Sequence, residues 1–502
     1  MESKVTLENI EKAMAESIYE LETDSRLVRT GLKKNQESEK ILIKYNWLFS
    51  LDTLNFVKNL LLGETKSDLS AQLKIIYFDL AEGYLYRQLA KEDDEISNYY
   101  SNAVGTIEGE KIPFFDLRSE LSKTEDFDKR EVLDELQLQI IAREDGAELA
   151  VLEKEIALIK RDFGHSYLSF YEEKKGIDYA KFYSLVKEIH AGLKDLFEEK
   201  MPDWVSKKLG RKFGTIPSCH MAYALQLPEY LQYFPQEKLI SAFSRTLETL
   251  GFDLEKEKNI HIDIADRPRK NPRAVCYAPT IPEEIHLIIK AVGGYYDYES
   301  FFHEGGHSLH YAHVSKDLPF AYRQLSPSYA LTELFSYLFE DLIRNPFWLE
   351  EYLGLSPDVV KSVAFDSHMI YLYMLMRYLG KFTYEYETFT ADDLRSAPSR
   401  YTEKQNEFTG FLYDKRNYLY DMDSGFYSAD YLRAWIGEAQ LSGFLAEKFG
   451  PKWFANSEAG NLLTGMWKTG SKFDLEEMLL EETKTQPFEL APLFRKFKRY
   501  LE

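Results

Sequence analysis

Cysteine is scarce in this chain, with only Cys219 and Cys276 among 502 residues. So sparse a pair excludes a disulfide-based scaffold and fits free thiols in a reducing compartment. It does not exclude a single disulfide between these two cysteines. Long apolar runs are missing too, since a stretch among the longest, Met369 to Met376, contains tyrosines; this excludes a membrane span. The first residues lack a basic start followed by an apolar stretch, so we expect no signal peptide and a cytoplasmic location.

Positive charge is also in short supply. The chain has 62 lysines and arginines against 83 aspartates and glutamates, a formal net charge of −21. Nucleic acid requires a basic face, and an anionic membrane surface repels such a protein, so we expect neither partner. Substrate charge stays open, because the charge inside a cleft can oppose the sign of the whole protein.

Helical periodicity covers most of the sequence. Residues 1–104 show helical apolar spacing, and residues 126–208 read as two or more long amphipathic helices broken near Gly164 and Gly176. Residues 105–125, with two glycines and a proline, read as a loop. The proline-rich and aromatic stretch 214–236 reads as an irregular connection with a short helix.

Strand signals cluster in one place, at residues 259–264, 274–277 and 284–292. These patterns predict a mostly α fold with a small antiparallel sheet. We expect a helical N-terminal lobe at 1–208 and a second lobe at 209–502. The second lobe would contain the small sheet at 259–292, two functional helices at 298–342 and C-terminal helices at 360–502.

The most informative motif is H-E-x-x-H, formed by His303, Glu304 and His307. Residues four apart lie one above the other on an α-helix, so both imidazoles can reach one metal ion. Glu304 stands beside the first imidazole, where it can act on a water. Gly305 and Gly306 each disfavour a helix by about 1 kcal/mol relative to alanine, so we expect a close backbone approach by a substrate or a packed element. The spacing is that of a zinc hydrolase.

Catalytic zinc usually takes three protein ligands, and a following helix supplies a carboxylate. Residues 328–340 are strongly apolar and helical in period, yet they carry Glu333 and Glu340 on nearly the same face. Buried carboxylates need partners, so we expect Glu333 to bind the metal and Glu340 to orient a ligand histidine. The alternative is that both carboxylates face solvent on an amphipathic helix.

The segment from about Ile260 to Glu340 resembles the thimet oligopeptidase and oligoendopeptidase F family of zinc peptidases. The match runs from Pro272-Arg273-Ala274-Val275-Cys276 through the apolar strand Ile285–Val292 and Asp297. It continues as H-E-x-G-H-x-x-H from His303 to His310, and as E-x-x-S-x-x-x-E from Glu333 through Ser336 to Glu340.

This resemblance implies one zinc ion per chain, held by His303, His307 and Glu333, with Glu304 as general base. It also implies that His310, Asp297 and Glu340 lie behind the ligands or beside the substrate. It further implies a deep channel between two largely helical lobes. Folded proteins would not fit such a channel, so short peptides are the expected partners.

The chain departs from this family near its C-terminus. Gly425 and Trp435 register with the family pattern, but Asp421 stands where the family has a histidine and Arg433 where it has a tyrosine. Hydrolysis still requires a donor for the charge that develops on the carbonyl oxygen. Three side chains could donate, namely Tyr427, Tyr431 and Arg433. The alternative is that these tyrosines belong to the core.

These observations favour a zinc metalloendopeptidase that cleaves short unstructured peptides. One alternative is an exopeptidase of the dipeptidyl carboxypeptidase type, in which Arg433 or Arg273 would anchor a terminal carboxylate. Another is a non-catalytic peptide-binding protein on a degenerate scaffold. Because the small sheet directly precedes the motif helix, we also expect one of its edge strands to lie beside the metal and to pair with an extended peptide.

Overall fold

Helices make up most of the molecule, as the sequence predicts. The computed structural model describes residues 5–502; residues 1–4, on which part of the signal-peptide expectation rests, lie outside that range. Within residues 5–502, no helix combines the length and apolar content that crossing a bilayer requires. Cys219 and Cys276 are both free thiols.

Residues 5–209 contain eight α-helices and a hairpin. Their bounds are α1 Leu7–Arg29, α2 Ser38–Lys44, α3 Leu51–Gly63, α4 Ser67–Asn102, β1 Val104–Ile107, β2 Glu110–Pro113, α5 Phe114–Lys123, α6 Phe127–Leu158, α7 Tyr167–Lys175 and α8 Tyr179–Leu209. The predicted breaks at Gly164 and Gly176 are confirmed, because each glycine adopts a left-handed conformation that ends a helical segment. The loop expected at 105–125 is wrong: this stretch holds nearly all of the hairpin and the whole of α5.

The second half holds a three-stranded sheet and the remaining helices of the described chain. Their bounds are α9 Met221–Ala224, α10 Leu239–Leu250, β3 Ile260–Asp263, β4 Val275–Thr280, β5 Glu284–Ile288, α11 Tyr295–Ala312, α12 Phe320–Gln324, α13 Ala330–Glu340, α14 Pro346–Leu353, α15 Pro357–Ala391, α16 Ala397–Thr409, α17 Tyr427–Phe449, α18 Ser457–Trp467, α19 Leu475–Thr483 and α20 Ala491–Leu501. The irregular connection expected at 214–236 is confirmed, with short 3₁₀ turns around α9.

The small sheet before α11 is mixed, which corrects the expectation of an antiparallel one. The strand order is β3-β5-β4, with β3 parallel to β5 and β4 antiparallel to β5. Parallel neighbours need a long crossover, and the stretch between β3 and β5 is long enough to make one because it contains β4. The antiparallel sheet of the described chain is instead the β1–β2 hairpin. Strand β4 is left at an edge of the mixed sheet.

The hydrophobic core joins both halves of the chain. One continuous cluster includes residues of α1 to α4 and of α6 to α20. The rings of Phe182 on α8 and Phe382 on α15, for example, meet edge to face with centroids 5.2 Å apart. The boundary expected near residue 208 therefore stays a prediction.

Candidate metal centre

The crossing of α11 and α13 builds the centre, and Gly306 permits that crossing. A Cβ at Gly306 would lie 2.5 Å from the carbonyl oxygen of Phe335 and 2.6 Å from the Cα of Ser336. A Cβ at Gly305 would lie 2.5 Å from the ring of Phe243. The close approach expected from the two glycines is therefore made by packed neighbouring elements. It brings the first turn of α13, with Glu333, against the histidines of α11.

Three donor atoms converge at this crossing. The Nε2 atoms of His303 and His307 lie 3.3 Å and 3.5 Å from Oε2 of Glu333. These three side chains form the one group in residues 5–502 whose donor atoms could hold a metal ion, all within 4.8 Å of one another. Ligands at about 2.0–2.1 Å from a tetrahedral zinc lie roughly 3.3–3.4 Å apart, so the donor set fits that ion. Divalent metals of similar size fit the same atoms.

The remaining ring nitrogen of each histidine has a partner of its own. The Nδ1 atom of His303 lies 2.8 Å from Oε2 of Glu340, and Nδ1 of His307 lies 2.9 Å from Oγ1 of Thr332. Arg344 donates to the other oxygen of Glu340 at 2.8 Å. These bonds set the ring orientations and leave both Nε2 atoms free to bind a metal.

Both oxygens of the Glu333 carboxylate have partners at the centre. Burial would raise the pKa of Glu333, but the imidazoles of His307 and His303 lower it well below its usual range. Its second oxygen, Oε1, accepts a hydrogen bond of 2.6 Å from the hydroxyl of Tyr427. Glu333 therefore holds Oε2 toward the two imidazoles and Oε1 toward Tyr427.

The donor atoms open onto a cavity of about 700 Å³. Its wall includes Glu304, which forms no hydrogen bond or ion pair with another described residue, and residues 273–276 and 278, in and just before edge strand β4. Residues from both halves of the chain contribute, among them Arg29 of α1, Asp79 of α4 and Arg118 of α5. The same cavity is thus lined by the edge strand β4, the unpaired carboxylate of Glu304 and the three metal donors.

The C-terminal segment reaches the cavity through Tyr427, Tyr431 and Trp435. Tyr427 and Tyr431 line it, with ring centroids 4.7 Å apart, and the hydroxyl of Tyr431 has no hydrogen-bond partner within residues 5–502. Arg433 does not line the cavity; its guanidinium donates to both oxygens of Glu476 and to Ser328. Asp421 is likewise engaged elsewhere, with Arg377 and Tyr401.

His310 and Asp297 occupy different places from Glu340. His310 is buried against Phe335 and lines the cavity, and neither of its nitrogens has a hydrogen-bond partner. Burial, with help from His307, lowers its pKa to about 3, so its ring is neutral. Asp297 lies in the first turn of α11 and accepts from the backbone amides of Val292 and Gly293 at 2.5 Å and 2.6 Å. It shapes the entry to the helix and contacts neither ligand histidine.

Three residues of the site are absent from the sequence-based set. Arg344 stands one helical turn after Glu340, and Thr332 directly precedes Glu333. Their positions next to predicted site residues could therefore have indicated them from the sequence. Arg29 offered no such indication, because only the fold brings α1 to the cavity. Comparison with models of known protein families finds no match, and no curated protein matches the sequence.

Proposed function

We propose that this chain is a zinc-dependent metallopeptidase that hydrolyses peptide bonds in short, unstructured peptides. The observation that carries the proposal is the unpaired carboxylate of Glu304 in the cavity that also receives three metal donor atoms within 4.8 Å of one another. A surface cluster of acidic residues would lack the oriented imidazoles and the free base. The sequence resemblance to zinc oligopeptidases supports the same reaction.

His303, His307 and Glu333 would hold the metal, whose chemistry is Lewis-acid polarisation of water and of the scissile carbonyl. Glu304 then takes a proton from the water as its oxygen bonds to the carbonyl carbon. When the C–N bond breaks, Glu304 returns that proton to the leaving nitrogen. The hydrogen bonds that the Nδ1–H groups of His303 and His307 donate to Glu340 and Thr332 keep both imidazoles from rotating during these steps.

Tyr431 is the better placed donor to the developing oxyanion. Its hydroxyl lines the cavity without a partner, whereas the hydroxyl of Tyr427 is already bonded to Glu333. A free donor can turn to the carbonyl oxygen without first losing a bond to a metal ligand. Tyr427 thus fits a supporting role, in which it fixes the second oxygen of Glu333.

The cavity favours extended substrates. Strand β4 offers an unpaired edge, and a peptide can add to such an edge with its backbone amides bonded. Peptides of about five to twenty residues, at roughly 3.3 Å per residue, fit a cleft of this kind, whereas folded proteins do not. A digest of mixed-length peptides and of casein, read by mass spectrometry, checks this; cleavage of intact proteins at peptide-like rates would contradict it.

Elemental analysis tests the metal assignment. We expect about one zinc per chain in the wild type, and loss of most of it in Glu333→Ala and in a His303→Ala, His307→Ala double variant. His313→Ala is the matched control, because His313 ends the same helix but bonds to Leu309 and Glu257 instead. Full zinc in the double variant would contradict the site. Zinc without cleavage of any peptide would support the non-catalytic alternative.

A further inference from the structure

Four arginines line the cavity without an ion pair in the described part of the chain. They are Arg29, Arg118, Arg273 and Arg323. Carboxylates are not in short supply, since acidic residues number 83 against 62 basic ones. Unpaired cations gathered at one cavity in an acidic protein point to an anion supplied from outside.

Two of these arginines are held next to each other by the backbone. Arg29 ends α1, and its Nη2 donates to the carbonyl oxygen of Arg273 at 3.4 Å. The amide of Asn271 donates to the carbonyl of Arg29 at 2.9 Å. Gly31 is pressed against the same loop, where a Cβ would lie 2.5 Å from the carbonyl oxygen of Pro268. The end of α1 is therefore docked on the segment that leads into β4.

This docking places like charges together. Burial lowers the pKa of Arg29, and the guanidinium of Arg273 lowers it further. The Nε atom of Arg29 is buried without a hydrogen-bond partner, while the side chain of Arg273 stays open to the cavity. A carboxylate bound between the two guanidiniums would satisfy the free donors and cancel the repulsion.

The pair lies at the end of β4 where a carboxyl terminus would arrive. Arg273 precedes the first residue of β4, Val275. A peptide that adds to the β4 edge in the antiparallel direction runs opposite to that strand, so its C-terminal end reaches Arg273. A parallel peptide would bring its amino group to the same two cations and be repelled.

The other end of β4 serves as an internal comparison. Arg323 lies there, because its neighbour Gln324 accepts from the amide of Ile281 at 2.9 Å, just past the strand. Among the acids that line the cavity, Glu22 and Asp79 lie outside the metal centre, and burial raises the pKa of each to about 7. Glu22 precedes Arg29 by about 10 Å along α1, so it does not pair with that guanidinium.

We propose that Arg29 and Arg273 bind a carboxylate at the C-terminal end of the peptide, which orients the chain along β4. This inference rests on the proposed peptidase function and narrows its substrates to peptides that present a carboxylate beyond the cleaved bond. The free C-terminus and an acidic side chain share that chemistry, and the experiment separates them.

Binding to zinc-loaded Glu304→Gln protein tests the proposal without turnover. The probes are a length series of acetylated peptides of uncharged residues, each as the free acid, as the amide, and as the amide with a C-terminal glutamate. We expect the acid to bind roughly 10- to 100-fold more tightly than the amide at the best length. Tight binding of the glutamate amide as well would show that the pair also accepts a side-chain carboxylate.

Variants locate the effect. Arg29→Gln and Arg273→Gln should each remove most of the preference for the acid, and Arg273→Lys should keep part of it. Arg323→Gln, at the opposite end of β4, should leave the acid-to-amide ratio as it is. Equal binding of acid and amide, or equal loss of the ratio in Arg323→Gln, would overturn the proposal. The peptidase function fails separately, if zinc-replete wild-type protein cleaves neither the acid nor the amide.

Discussion

Gly306→Ala is the sharpest perturbation of the crossing that builds the centre. The added Cβ would lie 2.5 Å from the carbonyl oxygen of Phe335, about 0.9 Å inside ordinary contact. Both partners are helix backbone, so α11 and α13 must separate. Overpacking costs about 1–3 kcal/mol, and the gain in helix propensity offsets about 1 kcal/mol, so global stability falls by roughly 0–2 kcal/mol.

Metal affinity should respond more than stability. Separation of the helices moves Glu333 from the imidazoles, whose Nε2 atoms are now 3.3 Å and 3.5 Å from its Oε2. We expect zinc affinity, measured by competition with a chromophoric chelator, to fall at least about tenfold, because a site tolerates only about 0.5 Å of misplacement. Gly146→Ala is the control: Gly146 is exposed in α6 with nothing within 4 Å of its added Cβ. Wild-type zinc affinity in Gly306→Ala would refute the reasoning.

Further predictions concern the surroundings of the centre. Glu340→Gln should lower zinc affinity about 10- to 100-fold by chelator competition, whereas the exposed Glu350→Gln should not; equal affinities would mean that Glu340 does not orient His303. Tyr431→Phe should lower kcat about 10²–10³-fold with little change in KM, and unchanged kcat would move the oxyanion donor elsewhere. Arg433→Met should instead destabilise the fold by about 3–5 kcal/mol in urea unfolding, because it strands the buried Glu476; a loss of kcat without a loss of stability would contradict this. Burial, and then Arg130, lower the pKa of His220 to about 4 against the pull of Glu131, so the unfolded state binds more protons between that value and about 6.5. Stability should therefore fall as pH drops through this window, and less steeply in His220→Gln; identical pH profiles in chemical unfolding would exclude His220 as the cause.

Local signals predicted the helices well. Gly164 and Gly176 end helical segments because only glycine adopts a left-handed conformation without strain, and that chemistry is visible in the sequence. The β1–β2 hairpin was missed because its turn is Glu108-Gly109, both with positive φ, whereas asparagine or aspartate before glycine is the usual signal. Buried residues at Phe114, Leu117 and Leu121 have helical spacing and could have revealed α5.

Local sequence patterns could not predict contacts between residues that are far apart in the chain. The parallel pairing of β3 with β5 depends on where β4 is inserted, and spacing does not reveal that. Within the site, the i, i+4 pair of His303 and His307 was readable because one helix carries both residues. Arg29 was not, because its place depends on how the end of α1 docks on the loop before β4.

The partners of the C-terminal segment separate candidates that look alike in sequence. Tyr427, Tyr431 and Arg433 all lie on α17 within two turns, so spacing alone could not rank them. In the structure both tyrosines line the cavity, whereas the arginine donates hydrogen bonds to Glu476. Which side chain is free depends on what packs around it, and that is a property of the fold.

Cleavage of an internally quenched peptide, blocked at both ends but carrying a C-terminal-side glutamate, by zinc-replete Glu304→Gln protein tests the central claim most directly. The glutamine side chain of this variant keeps the shape of the glutamate side chain, but its amide cannot take the proton from water. We predict that the variant retains about one zinc per chain and its fold while turnover falls about 10²–10⁴-fold or more. Near-normal turnover in the zinc-replete variant would contradict the account, because Glu304 would then not be the base.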